Sequence, residues 1–270
     1  MAREFKLPKR LFDAHNHLFR EDDDGSLTVE GQKAMGIETT VVMGLPCETR
    51  ARTDRYNQRV VRAQKKFPGK IIAGVYVDPR DARRALKTIR DAHAAGVRLV
   101  KLFPNLGYYP DDAKMRPFFD EVEKLKMAVL SHCGWLWLWG GQMAKEDWAT
   151  YFSAPGRFEK VARMHPETTF ILAHMGGING FLEAVMLATR TPNVYVDTSP
   201  GQGWWVLETM PRVAGTIPAG KLLWGADSHY TADGLKRVRK GVVGAGFGPQ
   251  LEKVFYLNAR GIYEKLGVLR

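Results

Sequence analysis

Cysteine is scarce: 270 residues hold two, Cys47 and Cys133. They lie far apart and form no recognisable metal or disulfide spacing, which points to a reducing cytoplasm. Long apolar runs are also missing, so no stretch is fit to span a membrane. Met1 to Arg10 is basic but has no apolar stretch behind it, so it does not read as a secretory signal. There is no linker, low-complexity tract or repeat. Acidic residues are outnumbered, 29 against 40 Lys and Arg, for a formal charge of +11. Such an excess suits nucleic acid or an acidic substrate. Here, however, the basic residues are spread along helix-like segments, as in Arg80, Arg83, Arg84, Lys87 and Arg90. A solvated helical face explains them better than a binding tract. The acidic run Glu21 to Asp24 reads as an exposed loop.

What is present is alternation. Short β-branched runs at 10–17, 37–45, 71–77, 97–103, 127–132, 168–174, 194–198 and 221–227 read as strands. Several are nearly continuous apolar runs, as in parallel strands covered on both faces. Helical patterns fill 54–67, 81–95, 112–124, 156–165, 178–189 and 203–213, and a last one spans 249–266. The Gly-rich stretch 231–248 is left without an assignment. Eight strands alternating with helices in a chain of this length predict one domain over 1–270, a (β/α)8 TIM barrel. An open doubly wound sheet is the alternative, but it would be helped by a Gly-rich turn after the first strand. Here that strand ends in His15-Asn16-His17.

Residues two apart on a strand share a face, so His15 and His17 can meet one metal ion. Alone, the pair reads as well as two surface histidines on a turn. Barrel enzymes place their chemistry at the carboxyl ends of the strands. There the chain carries His15 and His17 on strand one, Lys101 on four, His132 on five, His174 on six and Asp227 on eight. Four of the seven histidines fall at strand ends, which turns the weak pair into a corner of a metal site.

With these residues, the chain resembles the amidohydrolase superfamily. Its closest likeness is the amidohydrolase 2 group, which contains aminocarboxymuconate-semialdehyde decarboxylase and its relatives. The likeness runs through Lys101-Leu102-Phe103-Pro104, Leu172-Ala173-His174-Met175-Gly176-Gly177, Val194 to Ser199, Leu223 to Asp227 and Asn258-Ala259-Arg260. The resemblance implies that His15, His17, His132 and Asp227 hold one divalent ion, with His174 nearby as an acid/base or carbonyl polariser. Imidazole and carboxylate suit zinc, with manganese as the alternative. Zinc brings the pKa of a bound water to about 7. The resemblance also leaves a second, less favoured arrangement, in which a carboxylated Lys101 bridges two metals. Otherwise Lys101 binds an anionic substrate group or lies at the rim. Strand four has no Glu here, which argues against the TatD-like nuclease branch and so against a nucleic-acid partner.

Aromatics follow three neighbouring strands: Tyr108 and Tyr109 after strand four, Trp135, Trp137 and Trp139 after five, Trp204 and Trp205 after seven. They would line an apolar or aromatic-binding pocket, with 133–141 as a lid, or form the interface of a homo-oligomer. Arg50, Arg52 and Arg55 follow strand two, and one of them suits a substrate carboxylate. The expected activity is metal-dependent hydrolysis of an ester, lactone or amide in a small cyclic or aromatic substrate. Non-oxidative decarboxylation of an aromatic or unsaturated acid is the alternative. A non-catalytic metal protein is disfavoured, because a structural site is normally closed.

Overall fold

The structure, a computed structural model, describes residues 5–135 and 150–269. Eight parallel strands pair in chain order: β1 (Leu11–Asn16), β2 (Ile37–Met43), β3 (Ile71–Tyr76), β4 (Leu99–Leu102), β5 (Ala128–Ser131), β6 (Phe170–Leu172), β7 (Val194–Asp197) and β8 (Leu222–Leu223). Beyond β8 the seam continues onto β1 through Ala14 N to Trp224 O at 2.9 Å and Asp227 N to His15 O at 2.6 Å. The fold is a single (β/α)8 TIM barrel. Among the described residues no helix is long and apolar enough to cross a membrane.

Side-chain alternation sorts the apolar residues into two layers. Outward residues such as Val100, Leu102, Val129, Leu172, Val194 and Val196 pack beneath the helices. Inward residues such as Val41, Met43, Leu99, Leu130, Ile171 and Leu223 fill the barrel. Its lower end is plugged by Tyr256, Ala259, Ile262 and Tyr263, so the barrel interior is solid below the strand ends. Tyr263 is fully buried and stacks on Phe12, centroids 5.7 Å apart at 8°. Its hydroxyl has no partner among the described residues. A buried unpaired hydroxyl costs about 1–3 kcal/mol, so Tyr263→Phe is expected to raise stability. A thermal melt should show Tm up by about 2–4 °C; a fall would mean the hydroxyl is bonded.

Helices α1 (Ser26–Met35), α2 (Arg50–Lys66), α3 (Ala82–Ala94), α4 (Arg116–Lys124), α5 (Phe158–Met164), α6 (Gly177–Arg190), α7 (Gln202–Thr209), α8 (Pro211–Ala214), α9 (Ala232–Val242) and α10 (Asn258–Lys265) surround the strands. Four departures from the sequence reading have physical causes. Helix α1 has no apolar stripe to betray it: only Val29 and Gln32 are buried. The acidic run before it is not wholly solvent-facing, since buried Asp23 accepts from the N–H groups of Gly25 and Leu27. The helix expected over 203–213 breaks at Met210, before Pro211, into α7 and α8. The last helix contains a π-turn at Lys253–Leu257, where Asn258 N–H bonds Lys253 O. That spacing leaves Val254 O to accept from Trp224 N at 3.0 Å, which ends β8 early.

Candidate metal centre

The first strand does not deliver its histidines by simple alternation. Phe12 and Ala14 face the barrel interior, so plain alternation would send His15 and His17 outward. Between the pairs Asp13↔Thr40 and Asn16↔Val42, β1 advances three residues while β2 advances two. The extra residue is a β-bulge, and it re-aims the strand. His15 and His17 both line a cavity of about 300 Å³ at the strand ends, rings 5.5 Å apart.

Buried Asp13 pins this bulge. It accepts from His15 N at 3.1 Å, Asn16 Nδ2 at 2.8 Å, Ala226 N at 2.8 Å and Tyr230 Oη at 2.8 Å. One carboxylate therefore ties the start of the site to its far end, one residue before Asp227. Burial pushes Asp13 up to about 7, against these four bonds. Four donors converging on one acceptor favour the ionised form.

His174 and Asp227 enter the cavity by strained backbone. Both are left-handed, at φ 56° and 40°. For non-glycine residues this costs about 1–3 kcal/mol each. Asp197, at the end of β7, holds His174 in place by accepting from His174 N at 3.0 Å. Gly176 and Gly177, both at positive φ, then turn the chain into α6.

The partners of each ring fix the protons. His15 Nδ1 donates to Asp197 Oδ2 at 2.8 Å, and His17 Nδ1 donates to Met43 O at 2.8 Å. Ser199 Oγ–H is given to Asp197 Oδ1, so Ser199 Oγ accepts from His174 Nδ1 at 2.8 Å. His132 Nε2 donates to Trp135 O at 3.0 Å. Each imidazole thus turns a bare nitrogen inward: Nε2 of His15, His17 and His174, and Nδ1 of His132. The bare nitrogens of His132 and His174 face each other at 3.1 Å, with no proton between them. Asp227 lies among them, 3.4 Å from His17 Nε2, 3.7 Å from His15 Nε2 and 3.8 Å from His174 Nε2. Ligand atoms of a tetrahedral ion sit about 3.4 Å apart when each bond is about 2.0–2.1 Å. Converging lone pairs and a carboxylate at that spacing fit a divalent cation. Outer hydrogen bonds to carbonyl, carboxylate and hydroxyl orient the rings as they do in metal sites.

Electrostatics agree. Burial, reinforced by Lys101, holds His15 and His17 well below the ordinary imidazole range; burial and then His132 do the same for His174. Burial and Lys101 bring His132 down to about 3. All four are neutral at pH 7, the form that binds metal. Burial raises Asp227 to about 7, opposed by Lys101. Lys101 is fully buried, with Nζ 3.2 Å from His15 Nε2. Burial lowers it to about 8, against the pull of Asp227.

His15, His17, Lys101, His132, His174 and Asp227 therefore share one cavity. Among the described residues His15, His174 and Asp227 could hold an ion together, with ligand atoms within 4.8 Å of one another. This places His174, read from the sequence as an acid/base, within reach of an ion. The expected pocket walls fare less well. Trp135 lines the cavity, whereas Trp137 and most of the expected lid lie outside the described residues. Tyr108 does not reach the cavity: after left-handed Gly107 it drops into the layer beneath the helices. Trp204 lies instead in a separate cleft with Trp224 and Tyr230. Arg50 is 76% exposed, 3.6 Å from Asp81 on the wall of another cleft. The cavity walls are Phe19, Leu45, Phe103, Trp135 and Pro200, and Phe103 stacks on His132 at 5.3 Å. Asp13, Asp197, Ser199 and Gln202 were not singled out in the sequence. Asp197 had a usable signal, an aspartate closing the seventh strand.

No curated protein matches the chain in sequence. A solved structure of 2,6-dihydroxybenzoate decarboxylase from Rhizobium is 19% identical with a TM-score of 0.64, over 96% of this chain and 99% of that one. A probable 2-pyrone-4,6-dicarboxylic acid hydrolase from Acinetobacter baumannii, with citric acid bound, is 14% identical with a TM-score of 0.63, over 94% and 99%. A 5-carboxyvanillate decarboxylase from Novosphingobium aromaticivorans, with bound manganese, is 13% identical with a TM-score of 0.66, over 90% and 81%. At these identities the likeness shows the fold alone. The sequence model of the family described as Amidohydrolase matches residues 12–265. The chain accordingly belongs to the amidohydrolase 2 family, a family of metal-dependent enzymes acting on small substrates.

Proposed function

We propose that this enzyme is a hydrolase of an ester, lactone or amide bond in a small cyclic or aromatic molecule, working in the cytoplasm as a single domain over 1–270. The observation that carries the reading is Asp227, a carboxylate raised to about 7 and set 3.4–3.8 Å from three bare imidazole nitrogens. Its pKa near the working pH suits a general base. His15, His17, His132 and Asp227 would hold one divalent ion, zinc or else manganese, which supplies a Lewis acid that polarises a carbonyl and acidifies water. Asp227 takes the proton from attacking water and returns it to the leaving group. His174, bare at Nε2 3.8 Å from Asp227, is placed to relay that same proton from Asp227 to the substrate oxygen. Lys101, the one cationic side chain among the described lining residues, is placed to hold a substrate oxygen. A lysine carboxylated there, bridging two ions, is the less favoured form.

The apolar wall of Phe19, Leu45, Phe103, Trp135 and Pro200 supports a second reading, decarboxylation of an aromatic acid. Such a wall suits a flat ring. In that reaction the protonated Asp227 delivers its proton to ring carbon as carbon dioxide leaves. The deciding experiment assays lactones and hydroxybenzoates side by side, following acid release and carbon dioxide. Lactone turnover without carbon dioxide supports the first reading; carbon dioxide release supports the second and overturns the first. For either, EDTA is expected to abolish turnover, and one equivalent of zinc or manganese per chain to restore it. Full activity in protein shown by mass spectrometry to be metal-free would overturn both.

A further inference from the structure

Gln202 opens α7 and is buried, yet its side chain spans three strand-end loops. Its Oε1 accepts from Trp135 N at 2.9 Å and from Ile178 N at 3.3 Å. Its Nε2 donates to Trp135 O at 2.9 Å. The amide thus pairs with both backbone groups of Trp135, as a neighbouring strand would. It does so where the chain leaves β5 and no strand neighbour remains. The same Trp135 O accepts from His132 Nε2.

The surroundings leave this clamp little slack. A Cβ on Gly134 would lie 2.3 Å from Gln202 Oε1 and 2.6 Å from Gly177 Cα; a Cβ on Gly177 would lie 2.4 Å from Gly134 Cα. Asn105 Nδ2 donates to Gly134 O at 2.8 Å, and Ser153 Oγ to the same oxygen at 3.3 Å. A loop carbonyl is ordinarily a poor anchor, because loops open locally at small free-energy cost. Here Gln202, from the loop after β7, holds the Trp135 carbonyl directly, while Asn105, after β4, holds the neighbouring Gly134 O and Ile178, after β6, donates to Gln202 Oε1.

We propose that Gln202 is a positioning residue: by clamping Trp135 it fixes the carbonyl that keeps His132 in its Nε2–H form with Nδ1 facing the cavity. The same clamp sets the Trp135 ring as a wall of the pocket. The consequence for metal affinity rests on the proposed metal site; the consequence for the His132 tautomer does not.

The test uses full-length protein labelled with 15N-histidine, stripped of metal by EDTA and checked for folding by circular dichroism. Gln202→Met keeps the length and loses both hydrogen-bonding ends. Gln202→Glu keeps the acceptor and loses the donor, and carries the test if the first variant does not fold. Long-range 1H–15N spectra, with His132→Asn as the assignment control, read the tautomer. Wild type is expected to show His132 wholly as Nε2–H, and the variants a mixture of the two neutral forms. Zinc affinity, measured against a chromophoric chelator, is expected to fall about tenfold, as when an outer partner of a metal ligand is lost. An unchanged His132 pattern in the folded variants, or Nδ1–H in wild type, overturns the proposal. A tautomer shift in protein that binds no zinc at all supports the clamp and overturns the metal site instead.

Discussion

Asp227→Asn is expected to lower kcat about a thousandfold on whichever substrate of the lactone and hydroxybenzoate panel is turned over best. General acid–base catalysis is worth about 10²–10⁴, and Asp227 is the one carboxylate among the described lining residues. Asparagine is the informative replacement. It tolerates the left-handed backbone at φ 40°, and the Asp227 N to His15 O bond is backbone only. The variant should therefore fold, and mass spectrometry will show whether it still carries metal. A kcat within tenfold of wild type in metal-loaded variant would overturn the assignment. Stability should move the other way. Burial raises this carboxyl from 3.8 to about 7 in the folded metal-free protein. The folded state then holds the proton more tightly than the unfolded one. Its stabilising contribution is fully present below about pH 4 and is lost as pH rises through about 7. Asparagine has no such loss. The variant's advantage in Tm over metal-free wild type should grow across that window, a trade of stability for activity.

Asp13→Asn is expected to have the largest effect on stability. Asp13 accepts four hydrogen bonds, two from backbone and two from side chains. An asparagine amide offers one oxygen and turns an NH2 toward two of those donors. Leaving buried donors unpaired costs about 1–3 kcal/mol each. A net loss of about 3 kcal/mol corresponds to a fall in Tm of about 6–12 °C. The damage should also reach zinc affinity, because the same oxygens hold His15 N and the residue preceding Asp227. A fall below about 2 °C would show that Tyr230 and Asn16 simply turn to other partners. Tyr230 is the one to watch, since Thr40 Oγ1 lies 2.6 Å from its hydroxyl.

The barrel was legible because its strands are apolar runs at regular spacing, and apolar runs are what a doubly covered parallel sheet demands. The strand-end rule then picked out His15, His17, Lys101, His132, His174 and Asp227, which the structure brings to one cavity, without any contact being known. It found them partly for a wrong reason. His15 and His17 reach the cavity through a one-residue bulge, and His174 and Asp227 through left-handed turns; neither device leaves a mark on hydrophobic pattern. The walls were less legible for a related cause. Position after a strand does not tell which way a loop turns. Gly107 sends Tyr108 outward from the mouth. The turn at Gly201 puts Gln202, rather than Trp204, against the site. Helix α1 was missed because it buries almost nothing, and burial is what periodicity reports.

The solid lower half of the barrel governs traffic as well as stability. With Tyr256, Ala259, Ile262 and Tyr263 packed under Phe12 and Ala14, the described residues close the cavity from below, and Phe19 and Trp135 line it at the strand ends. Among the described residues, substrate and product therefore share the strand-end side. A bulky product still resting there would bar the next arrival, so competitive inhibition by product is the expected kinetic signature.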